Sequence, residues 1–133
     1  MPLRIEDYAL IGDGETAALV GRDGAIDWLC LPRFDSAACF AALLGGPEHG
    51  RWKIAPVGDV LRVTRRYRPG TLVLETEFET AEGVVALIDC MPLRNGAADV
   101  LRLVEGRRGK VAMAMDLGIR FDYGALVPWV HRA

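Results

Sequence analysis

The sequence predicts an all-β fold, an antiparallel β-sandwich with one short helix, and three observations carry that prediction. Apolar residues recur with a period close to two over most of the 133 residues, the spacing of strands whose two faces meet different surroundings. Turn signals built from glycine, asparagine and aspartate separate those stretches at short intervals. Only one segment has the composition and the stop signals of a helix. With 51% hydrophobic and 26% charged residues, the chain reads as a single globular domain over residues 1–133. A domain of that length hides roughly two-thirds of its unfolded surface.

Taken in chain order, Ala17 to Val20 and Ala25 to Cys30 flank Gly21-Arg22-Asp23-Gly24, where Asp-Gly signals a tight hairpin turn. Asp35 or Ser36 can cap a helix over Ala37 to Leu44, which Gly45-Gly46-Pro47 stops. Asp59 to Tyr67 is the next strand, closed by Arg68-Pro69-Gly70. From Thr71 to Thr80, Leu72, Leu74, Thr76 and Phe78 share one face and Glu75, Glu77 and Glu79 the other. Ala81-Glu82-Gly83 links that strand to Val84 to Ile88 as a hairpin. Val100 to Val104 follows the turn at Asn95-Gly96. Lys110 to Phe121 alternates most cleanly, with Val111, Met113, Met115, Leu117, Ile119 and Phe121 on one face of a long strand.

Composition excludes several classes of function. A formal charge of -2 with no basic arm argues against nucleic acid as the main partner. Cys30, Cys39 and Cys90 are odd in number and lack CxxC spacing, so reduced thiols in a cytoplasmic protein fit better than a disulfide framework or a zinc knuckle. Acids near the N-terminus and the lack of any run of about 18 apolar residues give neither a signal peptide nor a membrane span.

The cluster Trp28, Arg33, Phe34 and Asp35 has the chemistry of a sugar contact, an aromatic face beside a guanidinium and a carboxylate. The plainer alternative packs Trp28 and Phe34 in a core and pairs Arg33 with Asp35 or uses Asp35 as a cap. Asp13, Glu15 and Asp27 read as residues of turns and sheet rims rather than a catalytic pair. Asp89 beside Cys90 has no neighbouring histidine to activate a nucleophile, and His49 and His131 are too few for a metal site. Arg62, Arg65, Arg66 and Arg68 read as one solvated strand face paired with the glutamates of the next strand. Gly12-Asp13-Gly14 lacks the helix a dinucleotide site needs. No cofactor, metal or catalytic residue is assigned.

The segments Ile5 to Tyr8, Ile11 to Val20 and Gly24 to Ser36 together resemble the N-terminal domain of bacterial and archaeal glycoside hydrolases of family 15, the glucoamylase and trehalase-like group. Gly50 to Pro56, Tyr67 to Thr71, Asp89 to Pro92 and Ile119 to Gly124 agree in the same order. The resemblance implies a β-supersandwich followed, in complete members, by a helical toroid carrying the chemistry. Such enzymes cleave α-linked glucosides with inversion, through an acid and a base about 6.5–9.5 Å apart. Both carboxylates belong to the toroid, which residues 1–133 do not match, so the expectation is a partial, non-catalytic scaffold that is inactive alone. Its expected partners are a toroid in cis or trans and, through an unpaired sheet edge, further copies of itself. The rival reading is a stand-alone carbohydrate-binding module using Trp28, Trp52 and Trp129.

Overall fold

A computed structural model describes residues 4–30, 38–40, 50–92 and 99–118. After a 3-10 turn at Ile5–Asp7 come ten strands: β1 (Tyr8–Gly12), β2 (Ala17–Gly21), β3 (Ala25–Cys30), β4 (Ala38–Phe40), β5 (Arg51–Pro56), β6 (Val60–Tyr67), β7 (Leu74–Thr80), β8 (Gly83–Cys90), β9 (Leu101–Gly109) and β10 (Met113–Gly118). They form two antiparallel sheets. One runs β1-β2-β3-β5-β10 with β4 also on β3, and the other runs β6-β7-β8-β9.

The helix expected over Ala37 to Leu44 is corrected: Ala38–Phe40 is a strand, with Phe40 opposite Leu29 and Ala38 opposite Cys30. Pairing with β3 outweighs the modest helix preference of alanine and leucine at these positions. Residues 37 and 41–44 lie outside the described residues. Strands β1 and β5 carry no clean alternation and escape a reading by period.

Side chains from both sheets meet in one interior. Ile11, Ala18, Val20, Ile26 and Leu29 of the first sheet pack with Leu74 and Met91 of the second. Further along, Ile54 packs with Phe78, Val85 and Leu87, flanked by Val111 and Met113. Half-buried Trp52 joins the two groups.

The alternation of the last strand needs correction too. It is a described strand over Met113–Gly118, and residues 119–121 lie outside the described set. Met113 packs on the core, but Met115 is 64% and Leu117 37% exposed. In register these two sit opposite Ile54 and Trp52, on the interior side of the sheet. Val104 of β9, opposite buried Leu87, is likewise exposed. Among the described residues the interior is therefore exposed along the side formed by β9 and β10.

Candidate functional site

Of the four residues singled out for sugar or interface contact, the structure describes Trp28; Arg33, Phe34 and Asp35 lie outside the described residues. Val20 pairs with Ile26 and Leu19 with Trp28, so Asp27 is the extra residue of a β-bulge. The bulge explains how Ile26 and Leu29, three apart, both enter the inter-sheet core. Trp28 instead packs on Cys30 in a separate small cluster and is half-buried. It is not part of the main core.

Asp27 is itself buried and accepts a hydrogen bond from the Tyr8 hydroxyl at 2.7 Å. Burial raises its pKa above the ordinary carboxylate value, while the Tyr8 bond and the charges of Arg51 and Lys53 draw it down and Asp23 pushes it up. Burial and the nearby Asp27 carboxylate push the Tyr8 hydroxyl upward as well. Asp13 does different work. Its Oδ1 accepts the backbone N–H groups of Glu15 and Thr16 at 2.9 and 3.0 Å, shaping the β1–β2 turn.

Between the sheets lies a polar junction that the sequence did not reveal. Asp89 on β8 and Arg102 on β9 are register partners whose side chains are fully buried, with Arg102 Nε 2.7 Å from Asp89 Oδ1. The same guanidinium donates to the Trp52 carbonyl at 2.5 Å and to the Gly24 carbonyl at 2.6 Å, and lies 5.2 Å from the centre of the Trp52 ring. One arginine of the second sheet thus holds two carbonyls of the first. Burial pushes Asp89 toward its neutral form and the Arg102 contact opposes that. Next to it, burial first and then the Asp89 charge raise the Cys90 thiol, making it a poor nucleophile.

A second network covers the outside of β7. Glu75 was expected on a solvated face, yet it is 3% exposed. Arg66 Nε lies 2.8 Å from its Oε2, Arg68 sits 3.7 Å from Oε1, and Arg107 donates to Oε1. Arg107 is the extra residue of a bulge in β9 and also reaches Glu77 at 3.1 Å, two strands away, across buried Ala86. The Arg66 bond is the main cause holding the Glu75 carboxyl below its usual range. The four arginines of β6 and its turn do not share a face. Arg65 points inward and donates to the Val20 carbonyl at 3.0 Å.

Asp27, Glu75 and Asp89 are thus each engaged by a tyrosine or by arginines. A shallow hollow lined by Val57, Asp59, Leu61, Thr80, Glu82 and Val111 brings two further carboxyl residues to one place. Both Asp59 and Glu82 are exposed. Among the described residues no three His, Cys, Asp or Glu side chains group to hold a metal, and no helix is long and apolar enough to cross a membrane.

Fold and buried chemistry define a class: an antiparallel sandwich domain whose interior charges knit two sheets together. The chain belongs to the trehalase-like N-terminal domain family, whose model matches residues 1–129. It is 38% identical to the trehalase of Mycobacterium tuberculosis, a match covering 97% of this chain and 22% of that protein. Trehalase 1 of Sulfolobus acidocaldarius is 34% identical over 98% of this chain and 22% of its own length. The trehalase of Thermoplasma volcanium is 32% identical over 97% and 22%. The chain spans about a fifth of the length of these relatives. No solved structure matches it.

Proposed function

We propose that this chain is the non-catalytic scaffold of an inverting α-glucoside hydrolase, inactive alone, and that it orients a catalytic helical toroid supplied in cis or in trans. The family match over residues 1–129, to proteins about five times longer, is the observation that supports this reading. Trehalose is the favoured substrate of the assembled enzyme over maltooligosaccharides, because the relatives are named trehalases. In this proposal Trp28, Arg33, Phe34 and Asp35 are the residues that meet the toroid. The reduced state expected of the thiols is consistent with a cytoplasmic setting, and the uncovered side of the sandwich with self-association.

The purified chain is assayed for glucose release from trehalose, maltose and maltooligosaccharides, alone and mixed with the remaining four-fifths of a relative expressed separately. The expected result is no release alone and trehalose cleavage in the mixture. Release above a buffer blank by the chain alone overturns the proposal.

A separate carbohydrate-binding role has less support. Trp52, one of its three aromatic candidates, is half-buried between the sheets with the Arg102 guanidinium over its ring. Calorimetry of the chain with maltooligosaccharides and trehalose is expected to give no binding heat.

A further inference from the structure

We infer that two copies of this chain join edge to edge through β10, related by a two-fold axis at Met115. The inference deepens the proposed self-association and rests on it. Charge decides among the sheet edges. At β1 the Leu10 N–H donates to the Tyr67 hydroxyl at 3.0 Å and the hydroxyl donates to the Leu10 carbonyl at 2.8 Å, so that edge is capped from the other sheet. The β6 edge carries Arg62, Arg65 and Arg66 and a bulge at Leu61. The β9 edge carries Arg107 and Arg108 against Glu105, with its own bulge. Both of those strands are bulged and carry several charges, features that discourage edge association.

Among the described residues, strand β10 carries neither a bulge nor a cation. Its register with β5 runs without a break from Met113 to Gly118. Its one charge, Asp116, lies 3.7 Å from Arg51 of β5. Its interior side presents exposed Met115 and Leu117.

The residue order is also self-complementary. In a two-fold antiparallel pair that continues the sheet, paired residues share a face, so the axis passes through a residue. Centred on Met115, the pairs are Met115 with Met115, Met113 with Leu117 and Ala114 with Asp116. All six apolar side chains then fall in one row on the interior side, and each Asp116 sits opposite a small neutral residue. Centring on Asp116 sets two carboxylates against each other, which is unfavourable.

Sedimentation velocity is run on the wild type, Met115→Lys and Asp59→Lys, the last placing a lysine, with a larger change of charge, on an exposed loop residue. Met115→Cys and Leu103→Cys are oxidised beside the wild type, whose own cysteines set the background. Directly paired residues lie about 4.5–5.5 Å apart at Cα, within disulfide reach. The expected result is a wild-type dimer that Met115→Lys reduces to monomer with unchanged circular dichroism, and that Met115→Cys locks by a 115–115 bridge in peptide maps. Asp59→Lys should remain dimeric. A dimer that survives Met115→Lys, or that bridges through Leu103→Cys instead, overturns the β10 assignment and leaves self-association standing. A wild type monomeric at every concentration overturns both. Neither outcome touches the scaffold reading, which the mixing assay tests.

Discussion

Arg102 shows how one residue can settle the geometry of two sheets. Its guanidinium has lost all contact with water, and its charge is answered by Asp89 and by the carbonyls of Trp52 and Gly24. Truncating one partner of such a pair strands the other charge in a low-dielectric interior, at about 3–5 kcal/mol. Asp89→Ala and Arg102→Ala should each lower unfolding stability by about that amount in urea titrations. The double variant should lose less than their sum, by a coupling of about 0.5–3 kcal/mol. Simple additivity would show that the two side chains act independently. Asp27 makes a different prediction. Burial raises its folded-state value, so between the unfolded value and that raised value the native state holds more protons, and stability falls as pH rises through the window. Asp27→Asn keeps an acceptor for the Tyr8 hydroxyl and has no charge to bury. It should be more stable than wild type near neutrality, and the difference should close on acidification through the carboxylate range. Thermal melts from pH 3 to 8 would test this, and a pH-independent difference would contradict it. Neither pair was legible from sequence. Asp89 and Arg102 interrupt apolar runs at the period of inward residues, but a single sequence gives no register to show that they meet.

At the scale of elements, strands were legible where clear turn residues bound a run of strand formers. β2, β3, β6, β7 and β8 all fall close to their expected bounds. Alternation failed where the strand is short or one-sided: β4 has three residues, and β5 buries only Ile54 among arginine, tryptophan and lysine. Bulges add a second source of misreading, since one inserted residue shifts every later side chain to the other face. Asp27 and Arg107 are both such residues, and each turns a charge toward a partner that strict alternation would not supply. Turns were legible in their residues but not in their packing. Gly24 has a φ of 86° and closes the β2–β3 hairpin, and a Cβ there would lie 2.1 Å from the Ile54 carbonyl oxygen. Its own carbonyl accepts from Ile54 N–H at 3.1 Å and from Arg102. Gly24→Ala should therefore cost more than the about 1–2 kcal/mol of a left-handed conformation alone, because β5 must move and the Arg102 junction opens with it. A urea midpoint within error of wild type would show that the close approach is dispensable.

Across the whole molecule the two sides of the sandwich are unequally closed. Toward β1 and β6, Tyr67 caps the edge of the first sheet, and Arg65 and Arg22 donate across to the Val20 and Val63 carbonyls. Toward β9 and β10, Val104, Met115 and Leu117 leave the interior side exposed, and Leu101 and Leu103 are exposed on the outer face. Local opening costs least where few buried contacts must be broken, so this asymmetry should appear as a gradient of amide protection. Peptides from β7 and β8, each paired on both sides, should exchange only on global unfolding. Peptides from β10 should exchange through a smaller, sub-global opening at low protein concentration, where copies are separate. The Asp89–Arg102 tie places the inner half of β9 with the protected set, so Leu101 to Val104 should exchange more slowly than Glu105 to Gly109. Raising the concentration into the range of the expected dimer should slow β10 selectively and leave β6 unchanged. Hydrogen exchange read by mass spectrometry at two concentrations tests these expectations together. Uniform protection of β6 through β10 would show that the interior is as well closed at β10 as at β1, and would remove the structural reason for a partner at that edge.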